Sequence, residues 1–161
     1  MKRERIENGL DKKQKAERSP GKGKKSMKLK EIETLLHAAI HEAEGIDIKI
    51  TAVFLDEGGH LRALLRMDDA CWGDIDFAIN KAYTAAAWRA DSGCFYENSK
   101  PDGDFFGMHF SNGLRVTTFP GGMPINCKGR FVGSIGVSGG SPPQDQQCLD
   151  AVKAALLQLE E

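Results

Sequence analysis

Three stretches of the chain have the apolar spacing of amphipathic helices. Between residues 28 and 44, apolar side chains recur at i, i+3, i+4 and i+7, and Gly45 follows as a stop signal. Residues 74–91 repeat this spacing with an alanine-rich face, which indicates close packing against a sheet or a neighbouring subunit. Residues 142–159 follow Ser141, with Pro142 and Gln144 at the first and third helical positions of a capping box. The pattern therefore predicts three helices.

Five shorter runs have the composition of β-strands. Residues 48–55 and 61–67 flank the turn sequence Asp56-Glu57-Gly58-Gly59-His60, which predicts a hairpin. Residues 114–118, 123–127 and 130–138 are three further predicted strands. We therefore expect an α+β fold in the order α-β-β-α-β-β-β-α. About five mainly antiparallel strands would form one sheet, with the helices packed on it.

A long irregular segment, residues 94–113, separates the second helix from the third strand. It contains Pro101 and several glycines, and large apolar residues surround His109. In a compact domain, a segment of this length is usually a lid, a binding loop or an interface arm. His109 would suit the wall of an apolar pocket, and it would equally suit a buried plug at an interface.

Main chain without side-chain cover is expected at two points between residues 120 and 140. Pro120-Gly121-Gly122 forms a turn that another group can approach closely, and Ser138-Gly139-Gly140 ends the last strand before the capped helix. Backbone N–H groups at such a corner can receive an anion or a carbonyl. A tight strand-to-helix corner would need the same glycines for steric reasons alone. The phosphate-binding patterns GxGxxG and GxxxxGK[ST] are absent from the sequence.

Charge is distributed unevenly along the 161 residues. The net charge is −1, but residues 1–26 contain ten lysines and arginines against four acidic residues. This stretch has almost no large apolar residues beyond Ile6 and Leu10, so it cannot bury enough surface to fold alone. We expect a disordered basic arm at residues 1–26 and one folded domain at residues 27–161. The near-neutral total gives no reason to expect a nucleic-acid or membrane partner.

Two features predict a cytoplasmic location. No apolar run follows the early charges, so nothing resembles a secretory signal or a membrane span. The four cysteines are widely spaced and form no CxxC pair, which is typical of reduced thiols: Cys71, Cys94, Cys127 and Cys148.

Several motifs, in this order and spacing, are similar to those of one family. They are Asp56-Glu57-Gly58-Gly59-His60, Arg66-Met67-Asp68-x-Ala70, Lys81-Ala82-x-Thr84-Ala85, Pro120-Gly121-Gly122-x-Pro124 and Gly133-x-Ile135-Gly136-Val137-Ser138-Gly139-Gly140, with Asp145 beyond. From about Leu29 to its C-terminus the chain resembles the GlcG/HbpS family, often labelled haem-degrading. The C-terminal domain of some corrinoid adenosyltransferases is related to this family. Asp69 departs from the pattern, because the family more usually has glycine at this position.

The resemblance implies a compact α+β domain that forms dimers or larger symmetric oligomers. In several members of the family this domain binds haem or another tetrapyrrole, and a corrinoid is a further candidate cofactor. The iron ligand differs among members, so the resemblance assigns no axial residue. It also leaves open whether any reaction is catalysed.

A haem site needs an apolar slot, a Lewis base for the iron and cations for the propionates. His60 lies in a family-like motif and is the first candidate for the iron ligand, with His37, His41 and His109 as alternatives. The other candidate cofactor-binding residues are Arg66 and Lys81 for the propionates, the main chain of Gly121 and Gly122, and Met67, Met123 and Ser138.

Each of these candidates also has a structural interpretation. His60 would cap the hairpin, and the pair His37 and His41 would lie on the solvated face of the first helix. Lys81 would need an anionic partner if it points inward. The ligand-binding hypothesis requires Arg66, Lys81 and the main chain near Gly121 to meet in one cleft.

Two other functions fit the same residues. The first is a small enzyme or accessory protein that acts on an oxygenated carboxylate metabolite in a catabolic operon. In that case Arg66 would bind the carboxylate, Lys81 or His60 would move a proton, and the main chain at residues 120–122 would hold an oxyanion. The sequence contains no HExxH or Ser-His-Asp pattern that would assign a specific reaction to such an enzyme. The second is an oligomeric structural or interaction module that assembles through the alanine-rich helix.

Overall fold

The computed structural model of the protein describes residues 26–160. Nearly all of the basic arm predicted at residues 1–26 lies outside the described residues. Seven helices and strands follow one another: α1 (Leu29–Gly45), β1 (Thr51–Leu55), β2 (Leu61–Arg66), α2 (Asp74–Trp88), β3 (Gly122–Cys127), β4 (Arg130–Ser138) and α3 (Pro142–Glu160). Three short 3-10 turns lie between α2 and β3: Ser92–Phe95, Glu97–Ser99 and Met108–Phe110. No helix within residues 26–160 is both long and apolar enough to cross a membrane.

The four strands form one antiparallel sheet in the order β2-β1-β4-β3. Phe54 of β1 pairs with Ile135 of β4, and Ala52 pairs with Val137. Because successive side chains point to opposite faces, these four residues share one face of the sheet, and Val53 and Leu55 share the other. The predicted α+β class and antiparallel pairing are confirmed.

The expectation of about five strands was wrong, because residues 114–118 do not form a strand. Leu114 has a φ of 64°, which is left-handed. The residues that follow it form a hydrogen bond to a helix and none to a strand of the sheet. The backbone N–H of Thr117 donates to Oγ1 of Thr84 on α2 at 2.9 Å. The segment therefore lies against α2, and the observed order is α-β-β-α-β-β-α.

The main core lies between the sheet and the pair α1 and α3, which pack together on one face. Phe54 and Ile135 from the sheet have no exposed surface, and neither do Leu35 and Leu36 of α1 or Leu149 of α3. The apolar stripes predicted for the first and third helices are thus the stripes that face the sheet.

Helix α2 covers the opposite face of the sheet at unusually short range. Ala78 and Ala82 pack against Val53 and Leu55 of β1. A Cβ atom on Gly136 would lie only 2.0 Å from the carbonyl oxygen of Ala78. The small residues of α2 and the glycine of β4 therefore allow the helix backbone to lie directly on the sheet, as the alanine-rich face predicted.

Candidate functional site

The corner between β4 and α3 binds a carboxylate, and this carboxylate belongs to the chain itself. The backbone N–H of Gly140 donates to Oδ1 of Asp145 at 2.9 Å. Nζ of Lys81 donates to Oδ2 of Asp145 at 2.6 Å and to the carbonyl oxygen of Val137 at 3.0 Å. The anion predicted at this corner is therefore Asp145, and Lys81 points inward with an anionic partner.

Burial dominates the electrostatics of this ion pair. Lys81 is 4% exposed and Asp145 is 2% exposed. Removal from water raises the pKa of Asp145, and the charge and hydrogen bond of Lys81 oppose that rise. A buried lysine held by two acceptors of its own chain is a structural residue, so Lys81 is not part of the site proposed below.

The main chain at Gly121 and Gly122 is covered by α2 and not by open space. A Cβ atom on Gly121 would lie 2.9 Å from Nζ of Lys81, and one on Gly122 would lie 2.2 Å from the carbonyl oxygen of Lys81. The backbone N–H of Gly122 donates to Oγ of Ser92 at 2.9 Å. Lys81 thus fills the space beside Gly121 in which a ligand was expected.

Arg66 and Ser138 lie at the end of the sheet and bind protein groups. Nη1 of Arg66 donates to the carbonyl oxygen of Ala70 at 3.2 Å, and the arginine is otherwise exposed. Oγ of Ser138 donates to Oδ1 of Asp74 at 3.1 Å. Arg66 therefore binds a carbonyl group of its own turn, whereas Lys81 and Gly121 contact each other.

The two candidate methionines belong to the core. Sδ of Met67 accepts a hydrogen bond from the backbone N–H of Ile50 at 3.4 Å. Met123 is 4% exposed and packs in the main core, and it also borders a separate cavity of about 320 Å³ beside Leu156 and Leu157.

His60 lies in the β1–β2 hairpin, where it contacts Asp56 and helps to close the turn. Oδ1 of Asp56 accepts hydrogen bonds from the backbone N–H groups of Gly58 and His60, at 2.9 and 3.0 Å, and lies 3.2 Å from Nδ1 of His60. Burial acts to raise the pKa of Asp56, but these hydrogen bonds outweigh it and hold the pKa below its usual value. The His60 side chain is 82% exposed, so no apolar slot surrounds it.

His37 and His41 are exposed on α1. Within residues 26–160, no group of three or more histidine, cysteine, aspartate or glutamate side chains is arranged to hold a metal ion. The pair therefore lacks the further ligands that a protein zinc site requires.

The fourth histidine borders a large apolar cavity. This α2 cavity of about 580 Å³ lies between α2 and the segment that follows it. Its lining residues come from α2 (Asp76, Phe77 and Asn80), from the irregular segment (Tyr96, Ser99, Lys100, His109 and Phe110) and from the stretch before β3 (Leu114, Val116, Thr117, Thr118 and Phe119). His109 thus lines an apolar wall, one of the two positions that its sequence context suggested.

Aromatic rings form much of the wall of the α2 cavity. The ring centroid of Phe119 lies 6.4 Å from that of Phe77 and 6.1 Å from that of Tyr96, and the ring of Phe110 lies 4.2 Å from that of His109. Such rings offer flat apolar surface on which a planar ligand can stack.

Three side-chain hydrogen bonds hold the part of the cavity wall formed by Thr117 and Thr118 in place. Thr84 accepts from the backbone N–H of Thr117, as described above, and it donates to the carbonyl oxygen of Asn80 at 2.9 Å. Oγ of Ser99 donates to Oγ1 of Thr118 at 2.9 Å. The stretch before β3 is thereby attached both to α2 and to the irregular segment.

The cavity also contains a few polar groups, among them one imidazole, one carboxylate and one ammonium. They belong to His109, Asp76 and Lys100. This combination can hold a flat, largely apolar ligand, offer it a Lewis base and meet one negative charge at the rim.

Sequence reasoning named His109 and its apolar neighbours, among them Phe110, but missed the lining residues that come from elsewhere in the chain. Phe77 and Lys100 stand in no motif, and Tyr96 and Phe119 lie outside the aromatic group next to His109 in the sequence. One signal was available: Phe77 places an aromatic ring on the side of α2 that does not face the sheet, where it is 47% exposed.

Comparison with known proteins decides the family. Residues 27–154 match the model of the family described as haem degrading protein HbpS-like. The chain belongs to this family. The membership confirms the resemblance to HbpS-like proteins that the motifs indicated. The matched range includes the seven helices and strands of residues 26–160, except the last residues of α3.

Two curated relatives are found in Citrobacter freundii. An uncharacterized 15.0 kDa protein from the dhaT-dhaS intergenic region is 36% identical over 107 residues, which are 65% of this chain and 75% of the relative. The corrinoid adenosyltransferase PduO is 28% identical over 131 residues. That match includes 81% of this chain but only 39% of PduO, so the HbpS-like chain corresponds to less than half of that enzyme.

Among solved structures, the PduOC:heme complex has a similar fold. It superposes with a TM-score of 0.77 at 26% sequence identity. The match includes 81% of this chain and 95% of the PduOC chain.

Proposed function

We propose that this HbpS-like protein binds haem, or a closely related tetrapyrrole, in the α2 cavity and acts as a haem-binding accessory protein. The observation that carries the proposal is the position of His109, an imidazole in the wall of an apolar cavity of about 580 Å³. A volume of this size falls within the range of roughly 300–1,000 Å³ that is common for small-molecule and cofactor sites.

The residues of the cavity fit the chemistry of haem. His109 is the proposed iron ligand, because a neutral imidazole nitrogen is a common axial ligand of haem iron. The rings of Phe77, Tyr96 and Phe119 would contact the macrocycle. When bound, haem supplies a redox-active iron centre. The protein contributes binding, orientation and exclusion of water.

The family and one relative support the choice of ligand. The family is described as haem degrading, and PduOC, with a similar fold, has been solved in complex with haem. The curated PduO proteins are named corrinoid adenosyltransferases, which makes a corrinoid the competing ligand. The adenosyltransferase reaction is not part of the proposal, because this chain matches only 39% of PduO.

Titration with haemin tests the proposal. We expect the wild-type protein to shift the Soret band and to saturate at one haemin per chain. His109→Ala should weaken binding by about tenfold or more, corresponding to roughly 1.4 kcal/mol or more. Added imidazole should restore the spectrum of the ligated iron in His109→Ala, because the vacated position can admit it.

His60→Ala and His37→Ala are the matched controls, since both histidines are exposed and lie outside the cavity. We expect both variants to bind haemin as the wild type does. Absence of a Soret shift in the wild type at stoichiometric haemin would contradict the proposed function. Saturable binding of cobinamide without binding of haemin would replace haem with a corrinoid.

A further inference from the structure

The rim of the α2 cavity has one permanent cation. Among the described residues that line this cavity, only Lys100 has a side chain that is positively charged at every physiological pH. Haem has two propionate groups, and a cation at the rim is the usual way in which a protein receives such a carboxylate.

Lys100 is held by an anion of its own turn. Its Nζ lies 2.7 and 2.8 Å from the two carboxylate oxygens of Glu97 and 4.9 Å from the ring centroid of Tyr96. The hydrogen bonds to Glu97 raise the pKa of Lys100, so the ammonium stays charged. Both partners are well exposed, at 48% and 76% of the side chain, and an ion pair of this kind exchanges easily.

The backbone fixes the position of Lys100 although its side chain is exposed. Lys100 follows the 3-10 turn Glu97–Ser99 and precedes Pro101, which restricts the lysine to its observed extended conformation, with φ −65° and ψ 163°. Its carbonyl oxygen accepts a hydrogen bond from the backbone N–H of Gly103 at 2.8 Å. The main chain at Lys100 is thus anchored, and only the side chain needs to move from Glu97 to a ligand.

We propose that Lys100 recognises a carboxylate of the ligand at the rim of the α2 cavity, and that Glu97 competes with the ligand for Lys100. The cavity would then select tetrapyrroles that have free carboxylates over the same macrocycles with esterified side chains. This inference rests on the proposed function, because it assigns the determinant of ligand choice within the same cavity.

Affinities for haemin and for haemin dimethyl ester separate the charge of the ligand from its shape. Lys100→Met keeps an unbranched apolar side chain of nearly the same length but removes its charge. We expect it to weaken haemin binding by about three- to fivefold, the range of an exposed ion pair, and to leave the affinity for the ester unchanged.

Glu97→Gln tests the competition directly. It frees Lys100 without removing it, so we expect haemin to bind about two- to threefold more tightly and the ester to bind as before. The double variant Lys100→Met and Glu97→Gln should bind haemin as Lys100→Met does, because the lysine for which Glu97 competes is gone.

The pair Lys153 and Asp150 on α3 is a matched control. These residues are also three positions apart, with Nζ 3.4 Å from Oδ1, and the lysine side chain is 46% exposed. Neither lines the α2 cavity. We expect Lys153→Met and Asp150→Asn to leave both affinities unchanged.

The possible failures are distinguishable. If the wild-type protein does not bind haemin, the proposed function and this inference both fall. If it binds haemin but Lys100→Met binds haemin and the ester as the wild type does, only the role of Lys100 is refuted. If Glu97→Gln weakens haemin binding instead of strengthening it, the competition is refuted.

Discussion

At the scale of single residues, this fold depends on glycines, which have no side chain, as much as on large apolar residues. Gly136 and Gly122 lie opposite each other in the β4–β3 pair, and the backbone of α2 runs directly over both. These glycines belong to a pattern that suggested a ligand near bare main chain. The group that approaches the main chain is a helix of the same chain, and a sequence pattern cannot distinguish the two.

Gly136→Ala should therefore destabilise the protein strongly. Its Cβ would lie 2.0 Å from the carbonyl oxygen of Ala78 and 2.9 Å from the nitrogen of Ala82, so α2 would have to move away from the sheet. We expect a loss of about 1–3 kcal/mol or more in the free energy of unfolding, measured by urea denaturation.

Gly45→Ala is the control for that measurement, because a Cβ at the end of α1 would contact nothing within 4 Å. It should change the free energy of unfolding by less than about 1 kcal/mol, in the stabilising direction. Similar effects of the two substitutions would show that the contact between α2 and the sheet is not tight.

At the scale of elements, the α2 cavity exists because residues 114–118 pack on α2 and do not join the sheet. β3 occupies one edge of the sheet beside β4, and β2 occupies the other. The stretch before β3 is instead fixed by the hydrogen bond from Thr117 to Thr84. Its composition suits a strand, but strand formation needs a neighbour with free hydrogen-bonding groups, and the local sequence does not specify that neighbour.

Thr84→Val tests whether this hydrogen bond holds the cavity wall. The substitution preserves shape but leaves the buried N–H of Thr117 without its acceptor, so we expect a loss of about 1–3 kcal/mol. Hydrogen exchange should accelerate at the amides of residues 115–118, and haemin should bind more weakly.

Thr34→Val on α1 provides the comparison. Thr34 makes the same bond to the carbonyl oxygen four residues earlier, at 3.0 Å, but it is exposed and accepts no hydrogen bond from another element in the described structure. Its effect should stay within about 0.5 kcal/mol. Unchanged exchange at residues 115–118 in Thr84→Val would contradict the role assigned to Thr84.

At the scale of the whole molecule, the ion pair of Lys81 and Asp145 joins the three layers. Lys81 comes from α2 on one face of the sheet, Asp145 from α3 on the other, and Val137 from the strand between them. Because both charges are buried, each depends on the other. The pair fixes how the two helices meet at the end of β4.

Asp145→Asn should destabilise the fold by about 3–5 kcal/mol, because it leaves the ammonium of Lys81 buried without a counter-charge. The double variant Lys81→Met and Asp145→Asn should be more stable than Asp145→Asn alone, since no uncompensated charge remains. Thermal and urea unfolding of the wild type, the single variant and the double variant measure these differences.

Asp150→Asn breaks an exposed pair on the same helix and should cost less than about 0.5 kcal/mol. If Asp145→Asn proves no more destabilising than Asp150→Asn, the ion pair does not stabilise the assembly of the layers.

The sequence by itself determined the helices, the hairpin, four of the strands and the family. These features follow from periodicity, turn residues and ordered motifs, which are local properties of the chain. The small residues of α2 also predicted close packing, because only small side chains allow two backbones to approach.

Only the tertiary structure decided which charged and aromatic residues meet. Asp145 reaches Lys81 across 64 positions of the chain, and Phe119 meets Phe77 across the whole irregular segment. Contacts of this kind depend on how elements pack in three dimensions, and no local pattern records them. For this reason we propose the ligand site at the cavity beside His109 and not at the glycine-rich corner, because the chain leaves apolar space at the cavity that the corner lacks.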